Sequence, residues 1–170
     1  MKLIKIILLL FLLFPSLCFC ETADVKVCFT PGDRCDKEIV SEINHENNRV
    51  WVQAYYLTSR DIINAIINAK ERGADVKVIL DKSQDKGRHI SVIKAIGRHA
   101  IPVWVDNSVA IAHNKVIILG DNEVITGSYN FTRSAQNKNA ENLLIIKSPQ
   151  ITAQYVHNFD SRLSYSVKAY

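Results

Sequence analysis

The sequence predicts an α/β fold, a mixed β-sheet flanked by helices in a single domain. Short β-branched runs alternate with amphipathic segments of helical period over roughly residues 25–105. Such alternation demands parallel strands with helices laid on the sheet. Beyond residue 107 the apolar runs become mostly extended, which predicts closing strands that turn antiparallel. About 150 residues follow residue 20, enough for one sizeable core.

The elements follow in order. Val25 to Phe29 predicts a short strand. Cys35 to Glu46 places Ile39, Val40 and Ile43 at helical spacing, with acids near its start. Arg49 to Leu57, rich in β-branched and aromatic residues, predicts a strand. Thr58 and Ser59 offer an N-cap to a helix through Arg72, whose Ile62, Ile63, Ile66 and Ile67 share a face and which Gly73 stops. Asp75 to Leu80 is a buried strand that runs into the polar loop Asp81 to Arg88. A helix around Ser91 to His99, strands at 101–105, 109–119, 123–126 and 141–146, and a helix from Ala153 to Leu163 complete the chain.

Residues 1–20 carry Lys2 and Lys5 ahead of the apolar run Ile6 to Phe14. Small residues Cys18 and Cys20 precede a cut before Glu21. This is the layout of a signal peptide, with an apolar run too short for a comfortable membrane span. A lipoprotein anchor at Cys20 and an uncleaved anchor are the competing readings; bulky Phe19 fits the first poorly. Cleavage predicts a periplasmic or secreted domain, residues 21–170, without a stable membrane span. It also removes two lysines and no acid, halving the formal charge of +4. So modest an excess permits nucleic-acid binding without predicting it.

Of four cysteines, Cys28 and Cys35 remain after cleavage, around a turn-rich segment. In an oxidising compartment this predicts a structural disulfide stapling the first strand to the first helix. No spaced His/Cys cluster points to a metal, and no cofactor is expected.

The chemistry is concentrated in Ala112-His-Asn-Lys-Val-Ile-Ile-Leu119, Thr126-Gly-Ser-Tyr-Asn-Phe-Thr132 and Asn139-Ala-Glu-Asn142. On a strand, His113 and Lys115 project to one face. An imidazole and an ammonium side by side repel unless an anion lies between them, and a phosphate fits. Gly127 allows close backbone approach, while Ser128 and Asn130 supply neutral donors to the phosphate. Asn130 also opens an Asn-Phe-Thr glycosylation triplet, a pattern common by chance. Glu141 is the natural carboxylate to bond the second nitrogen of His113.

His-x-Lys followed by Gly-Ser-x-Asn at this spacing resembles the phospholipase D superfamily signature. Gln53 to Ser59 and Gly73 to Ser83 are similar to its small single-motif bacterial members, secreted endonucleases and small phospholipases D. The resemblance implies the phospholipase D/nuclease-like sandwich and a two-step displacement. His113 is the nucleophile that forms a phosphohistidine, and Lys115 and Asn130 neutralise the phosphate without a metal. With one motif instead of two, it also implies a homodimer with a shared active site. The family's aspartate five residues after the lysine is here Gly120, with Asp121 one step late. These are the supporting positions, and a glycine bulge is needed to bring Asp121 to the site.

Nucleic acid is slightly favoured as substrate and phosphatidylcholine-type phospholipid is the alternative. A catalytically weakened nucleic-acid or phosphate-binding protein is the second alternative, and an exported toxin-like effector the third. Blander readings apply elsewhere. His45, His89, His99 and His157 read as surface residues, and Lys82, Lys86 and Arg88 as a solvated or substrate-touching loop. Trp51, Tyr55 and Tyr56 read as core or dimer packing, and Tyr129 as a residue lining the cleft.

Overall fold

Successive residues of each apolar run point to opposite faces of one sheet, and helices cover both faces of its central strands, whose residues are buried almost throughout. The computed structural model describes residues 22–85 and 90–170; the predicted signal peptide, Lys86, Arg88 and His89 lie outside the described residues. The strands are β1 (Asp24–Thr30), β2 (Arg49–Ala54), β3 (Asp75–Asp81), β4 (Val103–Asp106), β5 (Lys115–Leu119), β6 (Glu123–Gly127), β7 (Glu141–Lys147) and β8 (Val167–Lys168). The helices are α1 (Cys35–His45), α2 (Arg60–Glu71), α3 (Ile90–Gly97), α4 (Arg133–Asn137) and α5 (Pro149–Ser164). One eight-stranded sheet runs in the order β1-β7-β6-β5-β2-β3-β4-β8. The α/β class predicted from the sequence is the class observed.

Strands β2, β3 and β4 are mutually parallel, and all other pairs are antiparallel. Because β5 runs against β2, the start of β5 lies at the same sheet edge as the ends of β2, β3 and β4. The end of β6 and the start of β7 reach that edge too. Every loop at this edge can therefore contribute to one site, as the crevice outside the carboxyl ends of parallel strands commonly does.

One face of the sheet packs Val50, Val52, Val78 and Ile117 against Ile39 and Ile43 of α1, Ile62 and Ile66 of α2, and Ile93 and Ile96 of α3. The other packs Trp51, Ile79, Val116 and Ile118 under Phe159 of α5. At about 1.5–3 kcal/mol for each fully buried aliphatic side chain, these two layers dominate stability. The disulfide Cys28–Cys35 joins β1 to the first turn of α1, with Cα atoms 5.8 Å apart. On the second face β1 stays uncovered, leaving Val25, Val27 and Phe29 exposed.

Two local expectations are corrected. The predicted strand 109–119 begins only at Lys115, because the preceding residues must carry the chain across the ends of β3 and β2. From β4 to β5 that crossing covers three inter-strand gaps, about 14 Å at roughly 4.8 Å each, and it occupies residues 107–114 as an irregular loop. The last helix starts four residues earlier than its apolar period indicates, since Ser148 Oγ caps it by accepting from Ile151 N with Pro149 in the first turn. The short elements α4 and β8 lie in segments without a recognisable apolar period.

The crossing loop is tied to α5. Arg162 donates from Nε (2.8 Å) and Nη2 to Asp106 Oδ2, and from Nη2 to Ser108 Oγ at 2.7 Å. Burial pushes the Asp106 carboxyl up, but hydrogen bonds from Arg162 and Ser108 outweigh it and hold it below the usual carboxylate range. Such a pair adds little net stability, yet removing one partner strands a buried charge, a loss of about 3 kcal/mol. Arg162→Met should therefore lower the unfolding free energy by about that amount at neutral pH, read by urea denaturation. The depressed folded-state pKa stabilises above the unfolded carboxyl value, so the difference from wild type should shrink as acid protonates Asp106.

Candidate active site

The site lies at the edge where β2, β3 and β4 end and β5 begins. Register sets Lys115 beside Ala54 of β2. Lys115, Ile117 and Leu119 share the face of β5 that α1, α2 and α3 cover. Lys115 is 6 % exposed. Its Nζ donates to the His113 carbonyl oxygen at 2.7 Å and lies 5.2 Å from the Tyr55 ring centroid. Burial lowers the Lys115 pKa, and the negative charge of Glu141 only partly opposes this. A desolvated ammonium with a carbonyl and a π-face as neighbours favours an anion.

His113 lies two residues before β5, exposed on the crossing loop and not on a buried strand. Its ring is 4.6 Å from the Tyr55 ring, which in turn is 4.2 Å from Tyr56. The backbone beneath it is fixed at several points. Asp81 Oδ2 accepts from Ala112 N at 2.7 Å, and Tyr55 N donates to Asn114 O at 2.8 Å. Lys82 Nζ holds Val109 O at 2.9 Å, so the one described residue of the predicted basic loop trio braces the His113 loop.

Glu141 does not bond His113 within the chain. Its Oε2 accepts from Ser128 Oγ at 2.6 Å and its Oε1 from Asn139 Nδ2 at 2.9 Å. Ser128 in turn accepts from Asn142 N at 3.0 Å, so its hydroxyl serves the β6–β7 junction. The cause is local: Ser128 and Glu141 directly follow and begin adjacent antiparallel strands. Gly127 has φ +152°, and a Cβ there would lie 2.3 Å from the Asn142 carbonyl oxygen. The close approach predicted for this glycine is thus to the neighbouring strand. Asn130 is half-buried, and its Oδ1 is buried without a hydrogen-bond partner.

Gly120 and Asp121 are corrected as supporting positions. Both lie in the β5–β6 turn, about 17 Å from Lys115 at roughly 3.4 Å per residue. Gly120 adopts φ +54°, where a Cβ would meet Glu46 Oε2 at 2.8 Å, and Asp121 pairs with Arg49 at 2.7 Å. No bulge returns Asp121 to the site. Tyr129 is also corrected: it is fully buried with its hydroxyl on Gln136, and burial raises its pKa strongly. His45, His99 and His157 are exposed. No three His, Cys, Asp or Glu side chains converge on a metal-holding arrangement among the described residues.

Sequence reasoning missed Tyr55 and Asp81. Each sits where a parallel strand meets the edge, which is the signal that marks them; their partners are far along the chain, so spacing alone is silent. Asp81→Ala should leave the Ala112 and Ser83 amides without their acceptor and cost about 2 kcal/mol. Amide exchange at Ala112 should accelerate more than in β5, as a hydrogen-exchange time course would read.

The model of the family described as Cardiolipin synthase, PLD-like domain matches residues 39–163. A protein named Phospholipase D from Rickettsia typhi (strain ATCC VR-144 / Wilmington) is 40% identical over 139 residues, covering 82% of this chain and 68% of its own. Among solved structures, the phospholipase D family member Nuc from Salmonella typhimurium superposes with TM-score 0.82 at 32% identity, over 86% of this chain and 98% of its own. NucT from Helicobacter pylori shares the fold with TM-score 0.79 at 23% identity, over 86% of this chain and 99% of its own. With the His113–Lys115 pair at the edge of this sheet, the chain belongs to the phospholipase D family of phosphodiesterases.

Proposed function

We propose that the chain hydrolyses phosphodiester bonds through a covalent phosphohistidine at His113. The observation that carries this reading is the buried Lys115 ammonium. It is held under the His113 backbone with no carboxylate within ion-pair distance among the described residues. A phosphate beside His113 supplies the missing negative charge.

In the first step a His113 ring nitrogen forms a bond to phosphorus and the bond to the leaving oxygen breaks. That oxygen takes a proton from an imidazolium on the opposite side. In the second step water attacks phosphorus, gives its proton to the same opposite group, and the nitrogen–phosphorus bond breaks to release a phosphomonoester. Lys115 and Asn130 stabilise the equatorial oxygens, and Tyr55 holds the His113 ring in place. Glu141, fixed by Ser128 and Asn139, partly offsets the lowering of the Lys115 pKa by burial.

The opposite imidazole is the partner subunit's His113, since this chain carries one His-x-Lys motif. Ile111, 58 % exposed two residues before His113, supports a two-fold contact beside the nucleophile. The leader and the Cys28–Cys35 disulfide support export to the periplasm or outside the cell. No helix among the described residues is long and apolar enough to cross a membrane.

Nucleic acid is the favoured substrate. A phospholipid is the second reading, supported by the name of the Rickettsia relative and by the exposed Val25, Val27 and Phe29 of β1. His113→Ala should lower turnover of bis(p-nitrophenyl) phosphate by roughly three orders of magnitude or more, while wild-type turnover persists in chelator. A wild-type rate abolished by chelator, or a variant retaining its rate, overturns the mechanism. Ile111→Asp should convert a dimer into a folded monomer in light scattering and remove most activity. A wild-type monomer with full activity refutes the shared site.

A further inference from the structure

We propose that a basic groove beside the phosphate centre binds flanking phosphates of a nucleic-acid strand, making an extended polyanion the substrate. This binding role presupposes the phosphodiesterase reading of His113 and Lys115 and adds a second contact region to it.

A cavity of about 700 Å³ opens where the loops after β1, β2 and β6 meet, at the same sheet edge as His113. Arg34, Arg60 and Arg133 line it with Thr58, Ser59 and Thr132. A second cavity of about 500 Å³ adjoins it, sharing Arg133 and Asn137 and adding Lys138. Neither lining contains an aliphatic or aromatic side chain, so acyl chains find nothing to bury against.

The charge in the groove is neutralised only in part from within. Two carboxylates share the lining, but Asp36 is paired with Arg34 at 2.9 Å and Asp61 with Lys37 at 3.4 Å. Arg60 and Arg133 are exposed, and neither forms an ion pair among the described residues. Arg60 also opens the twelve-residue helix α2, whose N-terminal dipole adds to the positive potential. Two guanidinium groups presented together in a polar groove match successive phosphates.

The backbone that lines the groove is fastened to the segments that carry the phosphate centre. Thr58 N and Ser59 N both donate to Phe131 O at 2.9 Å, and Phe131 N donates to Tyr56 O at 3.1 Å. Its floor is thus fastened to the residue next to Asn130, and its wall to the residue next to Tyr55. A strand whose scissile phosphate lies at Lys115 would continue over Asn130 toward Arg133 and Arg60. A single small phosphodiester reaches only the first of these places.

The test compares wild type with Arg60→Gln/Arg133→Gln on a 20-nucleotide single-stranded DNA and on bis(p-nitrophenyl) phosphate. The preference for DNA, as a ratio of kcat/KM values, should fall about 100-fold, roughly tenfold per arginine. DNA affinity by fluorescence anisotropy should fall in parallel, and its log–log salt slope should flatten by about 1.4. Lys168→Gln, a neutralisation on β8, should leave preference and slope unchanged. DNA binding unchanged in the double variant, with the small diester still hydrolysed, overturns the groove and spares the chemistry. DNA binding lost in the double variant, with no wild-type turnover of either substrate, overturns the chemistry and spares the groove. Phosphatidylcholine vesicles hydrolysed in preference to DNA overturn the polyanion assignment.

Discussion

An exposed histidine on an irregular loop makes a usable nucleophile only if its backbone is held still, and two buried carboxylates do the holding. Asp81 and Asp106 end neighbouring parallel strands, directly opposite one another in register. Asp81 takes the Ala112 amide, one residue from His113, and Asp106 takes Ser108 and the Arg162 guanidinium. The loop from 107 to 114 is thereby fixed at both ends to the rigid sheet. Lys82 and the Tyr55 amide add two further ties. Orientation gained this way is catalytic currency, because a nucleophile held near its attack geometry avoids paying entropy at the reaction step.

The second half of the site depends on a reversal of strand direction. Were β5 parallel to β2, Lys115 would lie at the far edge of the sheet from Ala54. The antiparallel insertion instead gathers the ends of β2, β3 and β6 with the beginnings of β5 and β7. Lys115, Asn130 and Glu141 then come from three different segments to one edge, with Tyr55 between His113 and Lys115. The same edge carries the arginine-lined groove, since the loops after β1, β2 and β6 also open there. Chemistry and the proposed binding track are consequences of one topology.

Much of the fold was legible because local period and global packing agree. Ile39 and Ile43, or Ile62 and Ile66, announce their helices at 3.6-residue spacing and are fully buried. Cys28 and Cys35 announced their bond by sitting either side of a turn. The site was legible in part: the identities of His113, Lys115, Asn130 and Glu141 stood out, but their partners did not. Ser128 was read as a phosphate ligand and instead binds Glu141, and Glu141 was read as the histidine's partner and instead binds Ser128 and Asn139. Gly120 was read as a supporting position and is a turn residue at the opposite end of β5 from Lys115.

By itself the sequence determined the fold class and the boundaries of most elements, since these follow from periodicity and residue type, and it singled out the candidate side chains by type and spacing. Only the tertiary structure decided that His113 leaves the strand, that Tyr55 and Asp81 lie beside its loop, and that Asp121 lies at the opposite end of β5. Those facts rest on strand order and direction, which join residues tens of positions apart, and no local pattern encodes a pairing made across the sheet.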